Sequence, residues 1–395
     1  MWSRWFLPLA FSLVCVLMPG GCTCAVDAPP PAPGVIACRP QHPTRPTTVA
    51  KAPAEVGVET VAAGSTPGSF SVTSTGEASF VMPLVTPPGR VEPHLALAYS
   101  SAGGDGVLGR GFSLTGPSAI TRCPSTLVRD GEIRGVRYDA DDKLCLDGKP
   151  LIPVGKEPGL VEYRALPDAF VKVLGHDPDE GGTPRSFEVF TPSGLVIEYG
   201  TSDGTRPLGP GGVPRAWLAA VVRDGRGSSM SYGYCFADAG EYTAEFALDE
   251  IVYTRFEGSP ALEASRAVKL VYGTKEPEDI RTLYSGGMAL QSSLRLEQIQ
   301  MVGPGEELVR SYAFTYALSP TTSRTLLAEV AECAGDGVCK PPTRFQYQSR
   351  EAGFEKHKTG VATPTSRKAS PILSDIDGDG LDDLVVPDTD KALST

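Results

Sequence analysis

The residues best spaced for chemistry stand near the end of the chain, in Asp375-Ile376-Asp377-Gly378-Asp379-Gly380-Leu381-Asp382-Asp383. The run reads D-x-D-G-D-G-x-x-D. Alternating aspartates converge on one point, and the two glycines permit the bend that brings them there. Asp375, Asp377, Asp379 and Asp383, with the Leu381 carbonyl, make a hard-oxygen set suited to Ca²⁺. A helical EF-hand loop needs Glu at its twelfth position, where Val386 stands. The flanks Pro371-Ile372-Leu373 and Leu384-Val385-Val386 are strand-like, so the expected arrangement is strand, loop, strand. The ion's expected role is structural, because the carboxylates repel one another without it.

Two further motifs imitate catalytic ones. Gly104-Asp105-Gly106-Val107-Leu108-Gly109 matches the dinucleotide fingerprint G-x-G-x-x-G. That fingerprint needs a helix start to hold pyrophosphate. Arg110-Gly111-Phe112-Ser113-Leu114-Thr115-Gly116-Pro117 follows instead, and no helix starts there. Gly200-Thr201-Ser202-Asp203-Gly204 matches G-x-S-x-G, which needs strand, turn and helix, then an acid and a histidine. Thr205-Arg206-Pro207-Leu208-Gly209-Pro210 follows, and the one later histidine is His357. Both motifs read as loops between strands. With four histidines in all (His42, His94, His176, His357), no catalytic residue and no organic cofactor is assigned.

Nine cysteines occur, and no Cys-x-x-Cys is among them, which favours disulfides over a zinc site. Cys123–Cys145, Cys333–Cys339 and Cys24–Cys38 could pair locally, leaving Cys235 odd, although spacing leaves the connectivity open. Export fits this usage. Arg4 precedes an apolar run, Trp5 to Met18, that is short for a membrane span and suits a signal peptide over residues 1–25. Gly20-Gly21 before Cys22 matches a lipoprotein cleavage site, which makes Cys22 the lipidated residue. Plain cleavage after Ala25 and an uncleaved anchor are the alternatives. Either way the expected place is outside the cytoplasm, secreted or held at the outer membrane of a bacterium. Residues 26–60 form a Pro-rich linker.

The elements that must position these residues are short strands. Gly 44 plus Pro 36 disfavours a helical bundle. His94-Leu-Ala-Leu-Ala-Tyr-Ser100 alternates strictly, with Leu95, Leu97 and Tyr99 on one face. Similar runs recur at Ser69–Thr73, Ala78–Leu84, Ser186–Phe190, Leu195–Tyr199, Ala216–Val222, Met230–Phe236, Leu248–Thr254, Val268–Tyr272, Leu294–Val302, Leu308–Tyr316 and Thr343–Tyr347, with turn residues between. Trp217 reads as core. One short helix is expected from Tyr242–Phe246 onward. The fold class is all-β, many antiparallel strands in a sandwich or barrel. Lys+Arg 36 against Asp+Glu 47 gives −11, and no basic block is present, which argues against nucleic acid as a partner.

Ordered segments resemble one family. They are G-S-F-S-V-T-S-T-G-E-A-S-F-V-M-P-L (68–84), P-H-L-A-L-A-Y-S-S (93–101), G-D-G-V-L-G-R-G-F-S-L-T-G-P-S-A-I-T-R-C-P (104–124), Y-D-A-D-D-K-L-C-L-D-G (138–148), S-F-E-V-F-T-P-S-G-L-V-I-E-Y-G (186–200) and C-K-P-P-T-R-F-Q-Y (339–347). Residues 61–350 are similar to the N-terminal domain of the SpvB virulence proteins, shared with the B subunits of insecticidal Tc toxins. Residues 366–390 resemble a single, truncated FG-GAP/VCBS propeller repeat. The resemblance implies a non-enzymatic scaffold: a β-rich shell that encloses toxic cargo or docks other toxin-complex or Rhs-type components. No segment resembles the transferase domain of SpvB. The competing reading is a calcium-dependent surface adhesion or ligand-binding lipoprotein.

The calcium expectation is directly measurable. Ca²⁺ should slow proteolysis within 370–386, EGTA should reverse this, and Asp377→Ala should abolish it. Equal digestion under all three conditions contradicts it.

Overall fold

Ala216–Asp224 reads A-W-L-A-A-V-V-R-D, an apolar run without a polar face. Such a strand is stable only where both of its faces are covered. The computed structural model describes residues 39–40, 64–258, 260–348, 372–374 and 383–385. In it the two faces of this strand enter two different cores. Trp217 and Ala219 point into one, and Ala216, Leu218 and Val222 into the other.

The first core fills a closed eight-stranded antiparallel barrel. Its other strands are Ala119–Cys123, Lys143–Leu146, Lys149–Glu157, Leu160–Ala165, Lys172–His176, Ser186–Phe190 and Leu195–Tyr199. Ala216–Asp224 closes the ring by pairing with both Leu195–Tyr199 and Ala119–Cys123. Inward and outward residues alternate, as a barrel wall requires: Val161, Tyr163 and Ala165 are buried, while Glu162 and Arg164 pair outside at 2.7 Å. Ile120, Leu144, Val161, Val173, Phe187 and Trp217 pack the interior, so the barrel is a core and not a channel. Phe187 meets Trp217 edge to face at 5.2 Å, and the indole Nε1 donates to the Arg185 carbonyl at 3.2 Å. Gly200, at φ +65°, lies against the Trp217 ring where no Cβ fits.

The second core lies in a sandwich. From Ala216–Asp224 the same sheet runs on through Ser228–Ala239, Tyr242–Phe256, Arg266–Thr274, Leu294–Val302, Leu308–Leu318, Thr325–Ala334 and Thr343–Arg344. It packs on a four-stranded sheet of Ser69–Val72, Ala78–Pro83, Ala96–Ser100 and Phe112–Thr115. Met82, Leu97, Leu108, Ile251, Leu296 and Tyr312 are fully buried between them. The expected face of Leu95, Leu97 and Tyr99 turns inward here.

The all-β class holds, with 55% strand and 5% helix. The helix expected from Tyr242 does not form. Tyr242–Phe256 is a strand laddered to Ser228–Ala239 on one side and Arg266–Thr274 on the other, and pairing on both edges outweighs local propensity. Residues 349–395 make a separate compact unit. Within it Ile372–Ser374 pairs antiparallel with Asp383–Val385.

Trp217→Ala should cost about 3–5 kcal/mol in urea unfolding, because the surrounding ring of strands cannot collapse into the space. Leu283→Ala, at a side chain 65% exposed, should stay within about 0.5 kcal/mol. Equal effects would contradict the packing described.

Candidate functional site

The sequence motifs resolve into structural roles. Asp105–Gly106 and Gly109–Arg110 form a small hairpin, not a strand-to-helix turn. Leu108 of that motif is buried in the sandwich core. Gly109, at φ +84°, packs against the Thr325 carbonyl. Ser202 is the N-cap of a 3₁₀ turn, Asp203–Thr205: its amide and hydroxyl both meet Thr205 Oγ1, at 3.2 and 3.3 Å. His176 bonds Glu188 at 3.1 Å on the barrel wall.

Cys123 is bonded to Cys145 and Cys333 to Cys339. The first joins neighbouring barrel strands, and the second closes the turn after Thr325–Ala334. Cys235 corrects the sequence reading. It is not odd but disulfide-bonded, and its partner lies outside the described residues. Pairing cysteines by nearness in sequence overlooks strands that bring distant segments together. Cys22, Cys24 and Cys38 lie outside the described residues, as do Asp375, Asp377, Asp379 and Leu381. Asp383 is described only as backbone in the Asp383–Val385 strand. Strands form on both sides of the aspartate run and pair with each other, and the residues between them lie outside the described residues.

The densest chemistry among the described residues is an ionic hub at one end of the barrel, which the motifs did not reveal. Alternation in Ala119–Cys123 turns Ile120 and Arg122 inward. The Arg122 guanidinium lies 5.8 Å from the Trp217 ring centre and 5.9 Å from that of Tyr138. Its Nε donates to the Pro214 carbonyl at 2.8 Å. Its Nη1 donates to the Asp139 carbonyl at 3.0 Å and to Asp142 Oδ2 at 3.2 Å. The Asp142 side chain is wholly buried. It also accepts from Arg134 Nη1 at 3.1 Å and from the amides of Arg137 and Tyr138 at 2.9 and 2.7 Å. A buried carboxylate with four donors is satisfied, so the hub holds the 124–142 excursion on the barrel end. The clue was Y-D-A-D-D (138–142) ahead of Cys145, acidic residues in a loop that a disulfide anchors.

A second charged cluster lies under the glycine hairpin. Asp105 pairs with Arg324, whose guanidinium is 3.9 Å from Asp279. Lys275, only 2% exposed, donates to Ser292 Oγ at 2.8 Å. Burial lowers its pKa against the pull of Asp279, Asp105 and Glu245. A lowered lysine is what a nucleophile requires, but this one is sealed from any substrate. Between barrel and long sheet opens a cleft of about 780 Å³ whose charged lining includes Asp177, Asp179, Arg185, Asp203, Arg206 and Asp238. Arg206 in this lining is engaged: it pairs with Asp203 at 2.5 Å and donates to the Arg185 carbonyl at 3.3 Å. These groups join strands and loops.

Comparison with known proteins finds the same fold in solved structures. Residues 72–165 match the family described as Salmonella virulence plasmid 65kDa B protein (SpvB). No curated protein matches the chain. Of the solved structures, the Photorhabdus luminescens Tc holotoxin pore aligns at TM-score 0.65 and 18% identity, over 84% of this chain and 19% of that one. The TcdB2–TccC3 crystal structure aligns at 0.60 and 20%, over 73% and 17%. The N-terminal domain of the effector SpvB from Salmonella typhimurium strain LT2 aligns at 0.51 and 19%, over 64% of this chain and 99% of that one. The chain thus spans less than a fifth of the toxin chains it matches. The likeness to these structures is one of fold, and segment 72–165 carries the SpvB sequence pattern.

Asp142→Ala should destabilise the chain by about 3–5 kcal/mol at pH 7, since it strands Arg122 without its buried partner. Asp139→Ala, at a side chain 47% exposed, should cost far less, because solvent screens its pairing with Arg134. The Arg134 guanidinium holds the Asp139 carboxyl below its ordinary 3.8. Its contribution is therefore present above that pH and lost as pH falls through the lowered value, so Asp139→Ala should converge with the native chain in strong acid. Urea titrations from pH 7 to pH 3 check both.

Proposed function

We propose that the chain is a non-enzymatic exported scaffold, a rigid β wall that encloses or docks a component of a toxin complex. The observation that supports this most is the joining of a filled barrel and a sandwich through one strand, in a fold shared with Tc toxin chains and the SpvB N-terminal domain. A filled barrel offers no passage and no interior ligand space, which leaves the outer surface as the working part. The charged groups fit this reading, because they cross-link elements: Asp142 ties the barrel end, and Arg324 ties the glycine hairpin.

Two features complete the proposal. Asp375, Asp377, Asp379, Asp383 and the Leu381 carbonyl hold Ca²⁺, which supplies a rigid link between the two flanking strands of an FG-GAP/VCBS-like repeat. Cys22 carries lipid and retains the chain at the bacterial outer membrane, with the Pro-rich linker as spacer.

The test is cross-linking in intact cells of the source bacterium, with the chain tagged at its C-terminus. The expected result is an exported chain joined to an identified toxin-complex component through wall residues. An exported chain that cross-links to no such component contradicts docking. A chain confined to the cytoplasm contradicts export.

A further inference from the structure

Ser228–Ala239 is twelve residues long, but Ala216–Asp224 pairs with it only from Ser229 to Ser231. Beyond that point the shared strand turns away to pair with Ala119–Cys123. The edge of residues 232–239 that faces the barrel is therefore left without the shared strand. An unpaired edge beside a core invites another strand. Arg39–Pro40 takes that place, with Arg39 opposite Phe236 and Pro40 opposite Cys235. Cys235 is 3% exposed and disulfide-bonded.

We infer that Cys38 is the partner of Cys235, and that this bond staples the N-terminal linker into the notch between barrel and sandwich. Every other described cysteine is already paired, with Cys123 bonded to Cys145 and Cys333 to Cys339. The partner is thus one of Cys15, Cys22, Cys24 and Cys38. Cys38 directly precedes the docked strand in sequence, and that strand pairs with Cys235 and its neighbour Phe236. Cys24 is 14 residues earlier, and Cys15 and Cys22 earlier still. Forming the bond removes one hydrogen from each thiol. The two electrons and two protons pass to a disulfide-exchange oxidant of the export compartment. The inference does not need Cys22 to be lipidated. Under either fate of the leader, the linker joins the wall at this junction. It replaces the Cys24–Cys38 pairing expected from spacing.

Peptide mapping of the native exported chain tests this, with free thiols alkylated before digestion by trypsin and an endoproteinase that cuts before aspartate. Arg39-Pro40 and Arg45-Pro46 resist trypsin, so residues 27–51 stay together and carry Cys38 as their one cysteine. Residues 227–237 carry only Cys235. The expected result is these two peptides joined, and separated by reduction. A variant adds a second readout: Cys38→Ser should expose one extra alkylatable thiol at Cys235 after denaturation, and Cys24→Ser should not. Peptide 227–237 joined to a fragment bearing Cys24, or alkylated at Cys235 in the native chain, would overturn the assignment.

Discussion

One strand buried on both faces sets the terms for the rest of the molecule. Ala216–Asp224 gives alternate side chains to two cores, Trp217 and Ala219 to the barrel and Leu218 and Val222 to the sandwich. Period-two alternation makes this possible, and it leaves no freedom of register. A slip of one residue would push Trp217 into the sandwich and Leu218 into the barrel. Several local features guard the register. Gly200 accommodates the indole face, the Arg185 carbonyl accepts a hydrogen bond from its Nε1, and Arg122 covers it at the barrel end.

The charged groups follow from the same constraint. A barrel joined to a sandwich through one strand has ends and notches that must be closed. Asp142 closes a barrel end with four donors, and Arg324 clamps the glycine hairpin through Asp105. Arg39–Pro40 fills the notch where the shared strand departs. Buried polar groups of this kind specify an arrangement more than they stabilise it. The result is a body whose buried charged groups, among the described residues, cross-link its own strands and loops.

The sequence was most legible where strands are apolar on one face. His94–Ser100 and Ser186–Phe190 alternate cleanly, and the excess of glycine and proline placed turns between them. The two motifs that imitate active sites were legible as loops, because helix-incompatible residues follow them. Five barrel strands between Ala119 and His176 were missed. Lys149–Glu157, with two prolines, a glycine and two lysines, has no run that periodicity can detect, and ring closure with its neighbours is what makes it a strand. Tyr242–Phe256 was misread for a related reason, since its state is decided by partners far away in sequence. The Arg122–Asp142 hub could not be read at all. Arg122 looks like a surface arginine until alternation and closure turn it inward. Cys235 was misjudged because its partner arrives from outside its own neighbourhood.

The claim on which the account rests is that barrel and sandwich form one cooperative body through Ala216–Asp224. Native-state hydrogen exchange measures this directly. The amides of Phe187 in the barrel, Trp217 in the shared strand and Leu296 in the sandwich should open with one common free energy, that of global unfolding. Barrel amides opening at a distinctly lower free energy than sandwich amides would show two independent bodies and contradict it.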